Sequence, residues 1–414
     1  MKHVDYFHYL GEFEAPSKKA VNSRIKNLQK TFSEKYPQEP IIVRSPGRVN
    51  LIGEHTDYNE GFVLPAAIDK AAYLAISLRS DEEIHLHALD LHESFTTNAR
   101  DLKPVREVSW PNYLLGSAAQ YIKRGIKLPG FNAVLSSDVP IGAGLSSSAA
   151  VECATVFALN ELLNTTLDRI TMVKMAQQAE HEFAGVMCGI MDQFASMMGK
   201  KDHVIKLDCR SLEYEYVPFK LDGIKVLLLN TNVKHSLASS AYNTRRRECE
   251  DAVRWVSAHI PGVKSLRDVS EKMLDQYVAP KNKTIDRRAR FVVQEIARLQ
   301  AVCEDLKKND LPALGRKMFA THEGLGKLYE VSCPELDWLV EHVRNNPSVM
   351  GARMMGGGFG GCTINLVKED AIADLIAKLK PAYEKEMKLP LTYYIASIED
   401  GTGLIDQSTS QGFN

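Results

Sequence analysis

Three clusters in this 414-residue chain have the residue types and spacing that chemistry needs. The first is the stretch 140–150, P-I-G-A-G-L-S-S-S-A-A. Gly142 and Gly144 carry no Cβ, so the backbone there can turn tightly and lie close to a ligand. Ser147 and Ser148 lead into a run of good helix formers over 149–154. A glycine turn feeding a helix N-terminus aims unpaired N–H groups and the positive end of the helix dipole at an anion. Gly142, Ala143, Gly144, Leu145, Ser146, Ser147 and Ser148 therefore read as a phosphate cradle for a nucleotide. The serine hydroxyls add donors and a candidate magnesium ligand.

The second cluster is Glu54, His55, Thr56 and Asp57, four adjacent hydrogen-bonding side chains in a loop opened by Gly53 and closed before Gly61. Such a density of short polar groups beside apolar strands suits a ligand rich in hydroxyls, such as a sugar; a solvated turn is the alternative. The third is G-I-M-D-Q-F over 189–194, which sets Asp192 among Ile190, Met191 and Phe194. An acid in apolar company is a candidate general base, and an N-capping aspartate is the competing reading. A further glycine-rich element, 351–362, places five glycines in six positions, where backbone can lie against a ligand or a second loop.

Two other groups carry weaker signals. His85, His87 and His92 lack a carboxylate or cysteine at matching spacing and read as a polar strand surface rather than a metal site. The triplet Arg245 to Arg247 reads as a solvated helix face before a phosphate contact. Other phosphate-binding designs fail on their residues. No Gly-Lys-Ser/Thr exists for a Walker loop, and neither H-R-D nor D-F-G is present for a protein kinase. A dinucleotide fingerprint would need a third glycine where Ser147 stands.

The elements that must position these clusters follow from periodicity. Val21, Ile25, Leu28 and Phe32 predict a helix over 17–36, and Ile41-Ile42-Val43 a short buried strand that delivers 44–48. Strands are predicted over 62–65, 71–78, 84–87, 131–139, 206–221, 224–229, 363–367 and 391–397. Helices are predicted over 110–123, 149–163 and 170–183, through most of 250–345, and over 371–388 with a break or kink at Pro381. The length favours two domains, drawn as 1–220 and 221–414. A net charge of −1 argues against nucleic acid or an anionic membrane as partner. No run approaches a membrane span, and the first sixteen residues show no secretory core. Seven cysteines without a C-x-x-C pair suit a cytoplasmic protein with reduced thiols.

Together, P-x-G-x-G-L-S-S-S-A-A at 140–150, G-R-V-N-L-I-G-E-H-T-D-Y-N at 47–59 and G-x-R-M-x-G-G-G-F-G-G-C at 351–362 closely resemble the three motifs of the galactose, homoserine, mevalonate and phosphomevalonate kinase superfamily. The motif at 47–59 is the galactokinase version, and G-I-M-D-Q-F is also similar to galactokinases. The resemblance implies an α+β, two-domain sugar kinase with a ribosomal-S5-domain-2-like N-terminal domain and a ferredoxin-like C-terminal domain, the active site lying between them. It implies ATP-dependent phosphorylation of the anomeric hydroxyl of galactose to galactose 1-phosphate, the entry to galactose catabolism, by a monomer that uses Mg²⁺. By position, Glu54, His55, Thr56, Asp57, Gly189 and Tyr242 would hold the sugar and the 142–148 loop the ATP phosphates. Ser148 and Glu180 would lie near the metal. Asp192 would be the catalytic base and Arg48 the group stabilising its carboxylate or the transferring charge. Relatives often carry a serine where this chain has Ala88, so no nucleotide contact is assigned there. A kinase for N-acetylgalactosamine is a second reading, and a galactose sensor without turnover a third.

Overall fold

The spacing of four, three and four among Val21, Ile25, Leu28 and Phe32 puts them on one face of a helix. In the computed structural model of the chain, which describes residues 18–140, 142–233 and 238–406, they do lie on one face of α1 (Lys18–Lys35). Ile25, Leu28 and Phe32 are buried against Ile42, Tyr73, Ala75 and Val134. Each such side chain contributes about 1.5–3 kcal/mol by leaving water.

Two compact units share the chain, and neither is continuous in sequence. Of the described residues, 18–50, 62–218 and 398–406 form the first unit, and 51–61 with 219–397 the second. A single cut after residue 220 therefore misplaces two segments. Residues 51–61 leave the first unit to pack with the second, and 398–406 return to the first. Hydropathy marks a strand but not its destination, so these crossings left no trace in composition. The expectations on Ile141, the N-terminal sixteen residues, 234–237 and the tail after 406 lie outside the described residues.

In the first unit the strands are β1 (Ile41–Asn50), β2 (Phe62–Val63), β3 (Pro65–Leu78), β4 (Glu83–Ala88), β5 (Glu93–Asn98), β6 (Phe131–Ser137), β7 (His203–Asp208) and β8 (Tyr214–Pro218). One sheet runs, from edge to edge, Gly403–Leu404, β1, β3, β6, β4, β5, with only the β4–β6 pair parallel. The other joins β2, β7 and β8. Helices α2 (Pro111–Lys123), α3 (Ser147–Leu163), α4 (Arg169–Ala179) and α5 (Met191–Met198) complete the unit. α3 is buried continuously from Ala149 to Asn160 because β1 and β3 cover one side and α2, α4 and α5 the other.

The second unit holds β9 (Ile224–Asn230), α6 (Ala238–Ser257), α7 (Glu271–Tyr277), α8 (Lys283–Lys307), α9 (Leu311–Lys327), α10 (Pro334–Arg344), β10 (Val349–Met354), β11 (Cys362–Lys368), α11 (Ile372–Met387) and β12 (Thr392–Ala396). Its antiparallel sheet has the order β10-β11-β9-β12, the ferredoxin-like arrangement with the helical region as the first crossover. Trp338, Leu339 and Val343 of α10 and Leu375, Leu379 and Tyr383 of α11 cover one face of it.

Several local expectations change. β1 does not stop at Val43 but runs through Pro46 and Arg48 to Asn50, with a bulge at Gly47. A Cβ on Gly47 would lie 2.6 Å from the Leu145 carbonyl oxygen, so only glycine lets the strand pass the 142–148 turn so closely. The region 206–221 is two strands, β7 and β8, joined by a turn in which Arg210 N–H donates to the Asp208 carboxylate. β5 was not foreseen, because E-S-F-T-T-N lacks a run of apolar residues. Part of the second glycine element, 351–354, is strand β10. α11 continues through Pro381.

Candidate functional site

In the first unit β6 delivers the chain to the glycine turn, and α3 begins at Ser147. Gly142, Gly144 and Ser146 all take left-handed backbone angles, with φ of 77°, 74° and 59°. Between them Ala143 and Leu145 are buried, so the turn is stapled inward at every second residue and presents the others outward. Such alternation turns successive N–H groups to one side, the geometry of an anion nest. Ser146 occupies the N-cap of α3, yet its side chain makes no capping hydrogen bond. Its hydroxyl donates instead to Asp192 Oδ2 at 2.5 Å.

Asp192 stands in the first turn of α5, where its side chain does not cap. Arg48 Nε and Nη2 donate to Asp192 Oδ1 and Oδ2, both at 2.8 Å, a two-pronged charged pair. Arg48 Nη1 donates to the Gly144 carbonyl at 2.5 Å. The bulge at Gly47 explains the placement: Arg48 N–H donates to the Leu145 carbonyl at 3.1 Å, which brings the guanidinium beneath the turn. Arg48 is buried, whereas the Asp192 side chain keeps 24% of its surface exposed. The N-cap reading of Asp192 gives way to a carboxylate held from one side and open on another.

Glu180 begins a π-helical turn, Glu180–Ala184, at the end of α4. The extra residue in such a turn is a frequent mark of a functional position. Ser148 Oγ donates to Glu180 Oε1 at 3.0 Å, while Gln193 Nε2 donates to Glu180 Oε2 at 2.6 Å and to Glu152 Oε2 at 3.0 Å. Burial, and after it the charge of Asp192, raises the pKa of Glu180. Burial, and after it Glu180, raises that of Glu152 well above the carboxylate range. Glu152 Oε1 is buried without a partner. Gly189 lies half-buried in the loop just ahead of α5, next to Cys188, whose thiol donates to Glu180 Oε2 at 3.3 Å.

Ser148 and Glu180 fit a hard divalent cation, because they offer only oxygen and because a cation would relieve the repulsion between Glu180 and Asp192. Among the described residues no group of three His, Cys, Asp or Glu is placed to hold a metal. Magnesium does not require one, since it commonly takes one or two protein oxygens and completes its shell with phosphates and water.

The loop 51–61 is a different construction. Gly53 has φ of 96°, and the Thr56 hydroxyl donates to the Gly53 carbonyl at 2.9 Å, closing the turn from within. Glu54, His55 and Thr56 are buried, and Asp57 is half-buried at the start of a 3₁₀ turn, Asp57–Asn59. Arg353 Nη2 lies 2.9 and 2.8 Å from the two oxygens of Glu54. The His55 ring, at φ of 63°, sits among Tyr58, Tyr242 and Tyr329, with ring centroids 5.8, 5.4 and 4.7 Å away. His55 Nδ1 and the Tyr58 hydroxyl share a hydrogen bond of 2.8 Å, and Tyr58 and Tyr329 share another of 2.7 Å. Burial, then the Arg245 charge, lowers the His55 pKa to about 3, so the ring is neutral, and its Nε2 is buried without a hydrogen-bond partner. Such an enclosed imidazole nitrogen suits a hydroxyl-bearing ligand. Tyr242 leans on Gly357, where a Cβ would come within 3.3 Å of its ring.

The structure thus gathers Arg48, Gly144, Ser146 and Asp192, joins Ser148 to Glu180, and sets Tyr242 beside the Glu54–Asp57 loop. Sequence reasoning missed Glu152, Tyr58, Glu295, Tyr329 and the role of Arg353. Gln193 was readable, since it adjoins Asp192 in the same motif. The arginine triplet divides: Arg245 is buried and donates to the carbonyls of Tyr329 and Glu330 at 2.7 and 2.6 Å, rather than lying on a solvated face. His85 pairs with Glu83 and His87 with Ser94.

Comparison with known proteins identifies the family. Residues 112–200 match the GHMP kinases N terminal domain, 302–385 the GHMP kinases C terminal domain, and 30–78 the galactokinase galactose-binding signature. The chain is 41% identical over 360 residues to a galactokinase of Thermotoga petrophila, covering 87% of this chain and 98% of that protein. It is 40% identical over 389 residues to a galactokinase of Fusobacterium nucleatum, covering 92% and 100%. A crystal structure of Lactococcus lactis galactokinase complexed with galactose superposes with a TM-score of 0.88 at 32% identity, covering 92% of this chain and all of that one. Methanococcus jannaschii mevalonate kinase shares the fold, with a TM-score of 0.61 at 21% identity over 88% of this chain and all of that one. The chain belongs to the galactokinase family of the GHMP kinases.

Proposed function

We propose that the chain transfers the terminal phosphoryl group of ATP to the anomeric hydroxyl of D-galactose, giving galactose 1-phosphate, with Asp192 as the base. The Arg48–Asp192 pair beside the phosphate turn carries this reading. Phosphoryl transfer depends on positioning and on neutralising charge around the moving group. The 142–148 turn would bind the ATP phosphates through its N–H groups and the start of α3. Glu54, His55, Asp57 and Tyr242 would hold the sugar hydroxyls, with Thr56 fixing the turn and Gly189 leaving room beside the sugar. Ser148 and Glu180 would hold Mg²⁺, whose charge offsets that of the phosphates.

Asp192 Oδ2 accepts two hydrogen bonds and Oδ1 one. Oδ1 therefore has the freer lone pair to receive the anomeric proton as the new O–P bond forms. Arg48 keeps the carboxylate aimed until that moment. The seven free cysteines support a cytoplasmic site of action, and no described helix is long and apolar enough to cross a membrane. A monomer contains every residue invoked.

ADP release measured with ATP, magnesium and a panel of sugars tests the proposal. Galactose is expected to drive turnover. Release with N-acetylgalactosamine but not galactose would reassign the substrate, and galactose binding without turnover would make the chain a sensor.

A further inference from the structure

Three successive groups at the start of the sugar loop are each held by a side chain from far along the sequence. Arg353 Nε donates to the Leu51 carbonyl at 2.9 Å. Glu295 Oε1, on α8, accepts the Gly53 N–H at 3.0 Å. Arg353 Nη2 meets both oxygens of Glu54. Gly356 N–H, just past β10, adds a contact of 3.2 Å to Glu54 Oε1.

Neither anchor is itself loose. Arg353 is completely buried and also donates to the Met354 carbonyl. The Glu295 side chain is likewise buried, pairs with Arg298, and accepts from the Thr321 hydroxyl at 3.1 and 3.0 Å. Glu54, Glu295, Arg298 and Arg353 make two negative and two positive groups, a balanced network. Buried charge of this kind holds one arrangement strongly when every partner is present and loses it when one is removed.

We infer that Arg353 and Glu295 are positioning residues for galactose: together they fix the backbone at Leu51 and Gly53 and the Glu54 carboxylate, and so set sugar affinity. The inference rests on the reading that the 54–57 loop binds galactose. Glu295 lies outside all three sequence motifs, on the helix whose Phe291 also packs against Tyr329 with ring centroids 5.1 Å apart. Lysine at position 353 keeps the charge but cannot fork to a carbonyl and a carboxylate at once. Glutamine at 295 keeps an acceptor for Gly53 while removing the charge that holds Arg298.

The test measures galactose binding by calorimetry and the KM values for galactose and ATP in Arg353→Lys, Glu295→Gln and Asp57→Ala. Each of the first two is expected to weaken galactose about tenfold to a hundredfold, the range for a lost charged hydrogen bond. The KM for ATP should stay within about twofold, a split that a general loss of folding would not give. If Arg353→Lys fails to fold, Glu295→Gln alone decides. Weakening in Asp57→Ala with unchanged binding in both anchor variants overturns the inference and leaves the loop reading intact. Unchanged binding in Asp57→Ala overturns the loop reading and the inference with it.

Discussion

The proposed phosphate turn and the proposed sugar loop are both short, glycine-marked segments, but they are shaped by opposite means. The turn at 142–148 is formed by its own backbone, with left-handed residues alternating with buried ones and few distant side chains involved. The loop at 51–61 is formed by its surroundings: an arginine 302 residues away, a glutamate 242 residues away and a tyrosine cage. Titration follows the same divide. Beside the turn, buried carboxylates are pushed toward their neutral form; in the loop, a buried imidazole is kept neutral. A self-shaped anion site tolerates change around it, whereas a site shaped by others depends on every neighbour.

The sharpest way to break the comparison is at Asp192, a long-range partner of the turn through Ser146. Asp192→Asn keeps the shape but cannot take a proton or pair fully with Arg48. It should retain nucleotide binding while kcat falls about 10²- to 10⁴-fold. Turnover close to that of the unmodified protein, measured by coupled ADP release, would remove Asp192 from the chemistry.

The opposed titrations give a second test of intermediate size. His55 titrates near 3 when folded against 6.5 ordinarily, so between those values the unfolded chain binds more protons and stability falls as pH falls. His55→Asn should flatten that acid limb, whose slope is at most about 1.4 kcal/mol per pH unit. Glu152, with its folded pKa raised, has the reverse sign: its favourable contribution is present below the ordinary carboxylate range and is lost as pH rises. Glu152→Gln should therefore gain stability relative to the unmodified protein more at pH 8 than at pH 5. Urea unfolding at several pH values checks both, and parallel curves for both variants would contradict the contrast.

The smallest effect belongs to the turn's own backbone. A Cβ on Gly142 would meet nothing within 4 Å, so Gly142→Ala costs only the left-handed angle, about 1 kcal/mol. The KM for ATP should rise no more than about fivefold. A hundredfold rise would mean that the turn is packed as tightly as the sugar loop.

The same contrast explains what the sequence revealed. Gly142, Gly144 and the serines drew the phosphate reading because such a cradle needs those residue types in that order. Arg48 was readable through its motif, although the bulge that places it became clear only once Gly47 was seen against Leu145. Glu54 to Asp57 could be read as hydrogen-bonding groups, but nothing in 51–61 announces which arginine or glutamate will hold it. Arg353 stood in a glycine-rich motif and drew no assignment, because its partner is 299 positions earlier. Glu295 reads as one more acid on an amphipathic helix. α1, α3 and β9 were legible because local periodicity determines them; the division into units was not, because it is a property of contacts between distant segments.

That division has a consequence for how the protein comes into being. During synthesis the first 50 residues emerge early, but the loop that follows them cannot settle until α8 and β10 have been made. The Gly403–Leu404 strand, which pairs with Val43 and Arg44, arrives later still. Neither unit can therefore be finished by a ribosome partway along the message. A nascent chain that has reached only residue 220 lacks both the anchors of the 51–61 loop and the Gly403–Leu404 strand of its first sheet, and should remain a client for chaperones until those segments have been made.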